Sequence, residues 1–196
     1  MNALVVATGN RGKLAEIRDL LRNDIQRIYS LADFPGLPSV VEDGATFAEN
    51  AVKKATQIAQ AVEMPVLADD SGLVVDALGG EPGVFSARYA GEGATDAENN
   101  EKLLRALRDV PEGCRDAAFR CVVALCLPDG SCTTFEGELR GEIGVTFKGG
   151  SGFGYDPLFV VPAYGKTLAE MSLDVKNGIS HRAQAMGKFL DFMRTM

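Results

Sequence analysis

The spacing of apolar residues near the amino terminus predicts a buried strand followed by an amphipathic helix. Leu4-Val5-Val6 is a short apolar run typical of a buried strand. After the polar loop that follows, apolar residues recur three and four positions apart, which predicts a helix that begins near Lys13. Further along, Thr46 and Glu49 form a capping box, and the apolar stripe behind them predicts a helix that continues to about Val62.

The middle and the end of the chain alternate between strand-like runs and glycine-rich segments. Strands are expected over 66–68 and 73–77, and Asp69-Asp70-Ser71-Gly72 would form the turn between them. A long antiparallel hairpin is predicted over 119–139, because a proline, an aspartate and a glycine separate two strand-like runs there. A final helix is expected to begin after Ser180.

This order of elements favours a mixed α/β fold with some antiparallel strands over a strict alternation of strands and helices. A chain of 196 residues suits one large domain, which we expect to span residues 1–196. Apolar residues make up 46% and charged residues 24% of the chain, as is ordinary for a globular protein.

Charge, hydropathy and cysteine content argue against several classes of protein. The formal net charge of −7 argues against non-specific nucleic-acid binding, which needs a basic face. No apolar run is long enough to span a bilayer, and the amino terminus does not resemble a signal peptide, so we expect a cytoplasmic protein with no nucleic-acid or membrane partner. The chain has no CxxC pair and only one histidine, which argues against a zinc site. Cys121 and Cys126 lie in an apolar run and are expected to be buried, reduced thiols.

The segment Thr8-Gly9-Asn10-Arg11-Gly12-Lys13, between the first strand and the first helix, has the character of a phosphate site. Its two glycines let the backbone turn and approach a ligand closely. The helix dipole disfavours a lysine at a helix N-terminus, and a bound anion would reverse that penalty. A standard P-loop has Ser or Thr after its lysine to bind magnesium, whereas this chain has Leu14. The alternative is a solvated lysine in an ordinary strand–helix turn.

Acidic residues at two places are candidate metal ligands. Asp69 and Asp70 lie beside an apolar strand, where acids are costly unless cations or hydrogen-bond donors satisfy them. Neighbouring side chains on an extended segment point to opposite faces, so one of the two is expected to face a given cleft. Glu42 and Asp43, in a glycine-containing loop, offer a second carboxylate. The alternatives are a turn that bonds its own backbone and a solvated loop.

Three further segments carry polar groups that could line a cleft. Lys53 belongs to a polar stripe on the predicted second helix, although such a stripe is often only the solvated side. Residues 152–157 hold two aromatic side chains and an acid among glycines, and this loop could stack on a base or simply plug the core. Residues 176–182 place the only histidine and neighbouring cations near a helix start, where exposed side chains are the plain alternative.

Together these segments resemble the inosine triphosphate pyrophosphatase family, which acts on non-canonical purine nucleoside triphosphates such as dITP and XTP. The resemblance covers nearly the whole chain and is carried by TGNRGK, EDGATFAENAVKKA, ADDSGLVVDALGGEPGVFSARYAG, GFGYDPLF and SHRAQA, in that order. It implies an elongated mixed β-sheet flanked by helices, two lobes with the active site in the cleft between them, and a homodimer.

The resemblance also implies roles for individual residues. Asp70 would be the general base and would bind Mg²⁺ together with Glu42. Ser71 would contact substrate, and Lys53 would lie near the phosphates. Phosphate contacts are implied for Thr8, Gly9, Asn10 and Lys13, with Arg11 and Gly12 completing the substrate-binding loop, and contacts with base and sugar for Phe153, Gly154, Tyr155, Asp156, Lys176, His181 and Arg182.

The reaction implied is Mg²⁺-dependent hydrolysis of a nucleoside triphosphate to the monophosphate and pyrophosphate, which would remove deaminated purines from the nucleotide pool. Hypoxanthine and xanthine present a 6-oxo acceptor where adenine presents a 6-amino donor. Donors at His181, Arg182 or the nearby backbone would pair with the oxo group.

Other functions fit parts of the same pattern. A related house-cleaning hydrolase acting on pyrimidine or other nucleoside triphosphates would share the layout but lack a purine-reading SHR segment. A non-catalytic nucleotide sensor would have no need of Asp70 and Glu42 as metal ligands. A P-loop kinase is disfavoured because Leu14 stands where that motif has Ser or Thr.

Overall fold

The computed structural model of the protein describes residues 1–195, so residue 196, the end of the predicted domain, lies outside the described part. The strands are β1 (Ala3–Val6), β2 (Arg27–Ser30), β3 (Val66–Val75), β4 (Asp116–Cys126), β5 (Cys132–Ile143), β6 (Phe159–Val161) and β7 (Lys166–Thr167). The helices are α1 (Arg11–Leu21), α2 (Phe47–Val62), α3 (Asp96–Ala106), α4 (Leu173–Ile179) and α5 (His181–Thr195).

The seven strands form one mixed sheet in the order β2-β1-β3-β4-β5-β6-β7. Strand β1 pairs in parallel with both β2 and β3, whereas β6 pairs antiparallel with β5 and β7. Parallel pairing requires a crossover between the strands, which α1 and α2 supply. The predicted α/β class, with a mixed sheet and flanking helices, is confirmed.

The chain forms two compact units. The first comprises residues 1–70, 121–137 and 181–195, and the second comprises residues 71–120 and 138–180. The arrangement as two lobes around a cleft remains a prediction from the family resemblance.

In the first unit, alternate residues of β1 belong to different apolar clusters. Leu4 and Val6 pack with residues of α1 and α5, while Val5 and Ala7 pack with residues of α2. Because successive side chains of a strand point to opposite faces, both faces of β1 are covered. This explains why the strand reads as a continuous apolar run.

The second unit has its own apolar cluster, built around the aromatic rings of Phe119 and Phe159, whose centroids lie 4.7 Å apart. Leu103 and Leu107 contribute from α3 and the residue after it, and both are fully buried. Within residues 1–195, no helix combines the length and apolarity that crossing a bilayer would require.

Local signals fix the ends of two helices. Thr46 Oγ1 accepts from the Glu49 N–H at 3.1 Å, and the Glu49 carboxylate accepts from the Thr46 N–H at 3.2 Å. The predicted bounds of α2 are confirmed. Helix α1 begins at Arg11, earlier than predicted, because Asn10 caps it and accepts from the Lys13 N–H at 3.0 Å.

Two predictions about the sheet are wrong. The segment 69–72 is not a turn between two strands, because β3 runs without a break from Val66 to Val75. Cys126 is not a reduced thiol. It is the last residue of β4 and forms a disulfide with Cys132, the first residue of β5. Cys121 is a free, buried thiol as predicted, and burial raises its pKa to about 12, which keeps it protonated at neutral pH.

Candidate active site

A buried set of charges in the first unit holds Lys13 in place. The Lys13 Nζ lies 3.1 Å from Asp69 Oδ2, and the Arg182 Nη2 lies 3.1 Å from the same oxygen. Arg182 also donates through Nε to Asp69 at 3.3 Å and through Nη1 to Glu16. Burial alone would raise the pKa of Asp69, but the charges of Lys13 and Arg182 outweigh it and hold that pKa far below its usual range. Two cations and two anions therefore balance one another inside the protein.

Asp70, the predicted base, follows Asp69 on β3 and is hydrogen-bonded to Asn50. Its Oδ2 accepts from Asn50 Nδ2 at 3.0 Å, and Asn50 Oδ1 in turn accepts from the Gly44 N–H at 2.7 Å. Asn50 therefore ties the loop that carries Glu42 to the strand that carries Asp70. Burial raises the pKa of Asp70, against the opposing effects of Lys13 and Asn50.

The charge of Glu42 also contributes to the raised pKa of Asp70, which brings the two predicted metal ligands into one electrostatic environment. The Lys54 Nζ lies 2.8 Å from Glu42 Oε1, and its charge lowers the pKa of both Asp69 and Asp70. Lys54 is 9% exposed, so its ammonium is held beside the carboxylates rather than in solvent.

Lys53, the lysine named by the sequence analysis, lies elsewhere on α2. It pairs with Asp43, whose side chain is 65% exposed, and this exposed pair lowers the pKa of Asp43. On a helix, residues three and four positions apart both lie beside the first one, so spacing from Asn50 does not separate Lys53 from Lys54. The two lysines differ in burial, since Lys54 is buried and Lys53 is half-buried, and only the folded chain shows this difference.

The opening loop leaves space next to its backbone. Thr8 Oγ1 accepts from the Asn10 N–H at 3.2 Å, which fixes the turn into α1. Gly9 is exposed, and a Cβ added to it would meet nothing within 4 Å. Arg11 is exposed and Gly12 half-buried at the first turn of α1, where backbone N–H groups face the helix N-terminus.

His181 and Arg182 open α5 in the first unit. His181 is 7% exposed, and its backbone carbonyl lies so close to Gly137 that any side chain at residue 137 would overlap it. Arg182 is 2% exposed, and three of its N–H groups point to Asp69 and Glu16. A direct contact between Arg182 and a base therefore remains a prediction.

The second unit contains the other predicted substrate residues, which lie on the loop 153–156, on α4 (Lys176) and on β3 (Ser71). Asp156 Oδ2 accepts from the Phe153 N–H at 3.1 Å and from Lys176 Nζ at 2.7 Å. The Lys176 Nζ also lies 5.5 Å from the centroid of the half-buried Phe153 ring. Tyr155 is 4% exposed, its hydroxyl donates to the Ser86 carbonyl at 2.8 Å, and burial raises its pKa, so it braces the loop from the core side. Ser71 is half-buried and follows Asp70 within β3.

Comparison with known proteins identifies the family. The sequence profile of the Ham1 family matches residues 4–192. The chain belongs to the Ham1 family. It is 54% identical to the dITP/XTP pyrophosphatase of Geobacter sulfurreducens over 193 residues, which cover 98% of this chain and 97% of that one. It is 48% identical to the dITP/XTP pyrophosphatase of Halalkalibacterium halodurans, over 97% of this chain and all of that one.

Solved structures agree with this membership. The structure of a HAM1 protein from Coxiella burnetii is similar with a TM-score of 0.90 and 42% identity, over the full length of both chains. The Staphylococcus aureus Ham1 protein gives a TM-score of 0.87 and 40% identity, over 99% of each chain. The family resemblance inferred from the sequence motifs is confirmed, and so is the fold class.

Asp69, a candidate metal ligand from the sequence together with Asp70, pairs with Lys13 and Arg182. Three residues of this candidate site were not predicted from the sequence: Glu16, Asn50 and Lys54. Each is at most 9% exposed, and each contacts or influences a residue that had been predicted. Within residues 1–195, no three side chains of the His, Cys, Asp or Glu type gather as a ready metal site. Lys54 pairs with Glu42, and its charge acts on both Asp69 and Asp70.

Proposed function

We propose that this Ham1 protein hydrolyses dITP, ITP and XTP or dXTP to the nucleoside monophosphate and pyrophosphate. Two observations support the proposal together. The chain is closely similar to dITP/XTP pyrophosphatases, and its acidic side chains pair with two lysines, Lys13 and Lys54. A triphosphate carries several negative charges, and an acidic protein can bind it only with such local compensation. The biological task that follows is removal of deaminated purines from the nucleotide pool.

Asp70 and Glu42 suit Mg²⁺ as ligands. Magnesium prefers oxygen ligands and is commonly held by one or two carboxylates, with water and substrate phosphates filling the other positions. Burial that raises the pKa of Asp70 makes its ionised form costly, and a cation beside it would offset that cost. When bound, Mg²⁺ supplies charge neutralisation of the phosphates and acidification of a coordinated water.

Asp70 accepts a proton from the attacking water as the general base. The water oxygen forms a bond to the α-phosphorus, the bond from that phosphorus to the bridging oxygen breaks, and pyrophosphate leaves with the electron pair. Asn50 fixes the Asp70 carboxylate through its 3.0 Å hydrogen bond. Lys13 and Lys54 hold the phosphates, and the backbone N–H groups at the start of α1 add neutral donors to the same anion.

We assign base selection to the loop 153–156 and Lys176, and the family resemblance adds His181 as a donor to the 6-oxo group. The half-buried Phe153 ring offers a face for stacking, and Lys176 is held as a cation by Asp156. A site that hydrogen-bonds a 6-oxo group leaves its donors unpaired when adenine is bound, and such sites reject the mismatched base by roughly 10⁴-fold. We further propose that the protein acts in the cytoplasm as a homodimer.

The decisive assay measures pyrophosphate and orthophosphate released from dITP in the presence of Mg²⁺. We expect pyrophosphate, a strong preference for dITP over dATP and dCTP, and loss of the reaction in EDTA. Asp70→Asn should lower kcat by roughly 10²–10⁴-fold, the usual contribution of a general base. Asp43→Asn, in the exposed pair with Lys53, is the matched control and should be active.

Three outcomes would refute this proposal. Release of orthophosphate alone would place the cleavage at another bond, and equal rates on dCTP and dITP would favour a pyrimidine or general house-cleaning hydrolase. Binding of dITP without release of pyrophosphate or orthophosphate would indicate a nucleotide sensor.

A further inference from the structure

Two side chains of α3 hydrogen-bond the backbone of Gly154, one at its N–H and the other at its carbonyl. The Gly154 N–H donates to Asp96 Oδ2 at 2.7 Å, and the Gly154 carbonyl accepts from Asn100 Nδ2 at 2.7 Å. All three residues belong to the second unit. Gly154 adopts φ +60°, a left-handed conformation that glycine reaches without strain, so these two hydrogen bonds, rather than a backbone preference, hold it in place.

The orientation of the Asn100 amide is determined by its partners. Its Nδ2 donates both to the Gly154 carbonyl and to the Asp96 carbonyl, the latter at 2.8 Å, so the nitrogen must face these two oxygens. Asn100 is 2% exposed, which places this donor where water does not compete with it. Asp96, in contrast, is exposed at the first position of α3.

We propose that Asp96 and Asn100 are positioning residues for purine recognition: they set the place of the Phe153–Gly154 backbone and thereby the affinity and selectivity for the base. This inference rests on the proposed function, in which Phe153 stacks on the base. The Phe153 N–H and Lys176 both bond Asp156, so a shift of Gly154 displaces the ring and its neighbours together. In this role Asp96 and Asn100 act through the backbone of Gly154 and not through a contact with the substrate.

The test compares Asn100→Asp with Asn99→Asp. Asn100→Asp preserves the shape of the side chain but places carboxylate oxygens next to the carbonyls of Gly154 and Asp96. The hydrogen bond to the Gly154 carbonyl is therefore lost. Asn99 is the matched control, because it is also buried on α3 and bonds Ala90 N–H and Ala87 carbonyl at 2.7 and 3.1 Å, away from the loop. Both variants lose buried hydrogen bonds, but only the first is expected to affect base recognition.

We expect Asn100→Asp to raise the KM for dITP about tenfold, which is the loss of roughly one hydrogen bond, while kcat changes less than about twofold. The preference for dITP over dATP should fall with it. Asn99→Asp should keep the wild-type KM and preference. Equal KM values and preferences in the two variants, with only a lowered melting temperature, would show that the contacts are structural and would overturn the proposal.

Asp96 supplies an independent test that does not involve a buried side chain. Asp96→Asn keeps an acceptor oxygen for the Gly154 N–H and should retain the wild-type KM, whereas Asp96→Ala removes it and should raise the KM for dITP several-fold. An unchanged KM in Asp96→Ala would overturn the role of Asp96. Failure of the proposed function is distinguishable, because the wild-type protein would then release no pyrophosphate from dITP.

Discussion

Removal of the Arg182 side chain should destabilise the fold more than removal of any exposed arginine. Arg182 is 2% exposed and donates through Nε and Nη2 to Asp69 and through Nη1 to Glu16. Arg182→Ala deletes these three charge-assisted bonds and leaves two buried carboxylates short of a cation. Breaking a buried ion pair from one side costs about 3–5 kcal/mol. We therefore expect Arg182→Ala to lower the free energy of unfolding by about 4 kcal/mol.

Urea denaturation followed by far-UV circular dichroism measures this loss. With a slope of about 2 kcal/mol per molar urea, a loss of about 4 kcal/mol lowers the midpoint by about 2 M. The matched control is Arg194→Ala, on the same helix α5, whose side chain is 65% exposed and pairs with Asp191 and Asp24. Exposed pairs contribute about 0–1 kcal/mol, so its midpoint should move by less than about 0.5 M. Equal midpoints for the two variants would refute the reasoning about burial.

Three further predictions concern the lysines, a glycine contact and the metal. Lys54→Ala should lower kcat/KM for dITP about 10–100-fold, the worth of a charged hydrogen bond, while Lys53→Ala changes it less than about fivefold; reversed effects would contradict the structure. Gly137→Ala should lose at least about 2 kcal/mol in urea denaturation, because the added Cβ would lie 2.0 Å from a backbone oxygen of α5, whereas Gly150→Ala, in open space, should not. Mg²⁺ should raise the melting temperature of the wild type but not of Asp70→Asn, and an equal rise in both would exclude Asp70 as a ligand.

Asp70 should also affect the pH dependence of stability in the metal-free protein. Because burial raises the folded-state pKa of Asp70, the native state keeps its proton to higher pH than the unfolded chain. Protonated Asp70 therefore stabilises the native state fully at pH values below its pKa in the unfolded chain. This contribution is lost as pH rises through the pKa of Asp70 in the folded protein. Asp70→Asn should lack this loss, so in EDTA the variant should be at least as stable as wild type at neutral pH; a strongly destabilised variant would contradict the direction of the shift.

Local sequence determined the elements whose ends depend on neighbouring residues. The reciprocal bonds of Thr46 and Glu49 fix the start of α2, and residues 4–6 form a fully buried strand, as their apolar run predicted. The family motifs likewise predicted membership that the comparisons confirmed. Such signals need no knowledge of distant partners, because a cap or an apolar run acts within a few residues.

Tertiary structure decided how the acids and lysines are used. Asp69 and Asp70 looked like a turn because acids are rarely tolerated inside a strand, yet β3 continues through them. Lys13 and Arg182, which is 113 residues away from Asp69 in sequence, supply the charge that stabilises Asp69 inside the protein. The choice of Lys54 over Lys53 likewise depends on which face of α2 meets Glu42. Buried charge is stable only beside its partner, and the partner's position exists only in the folded chain.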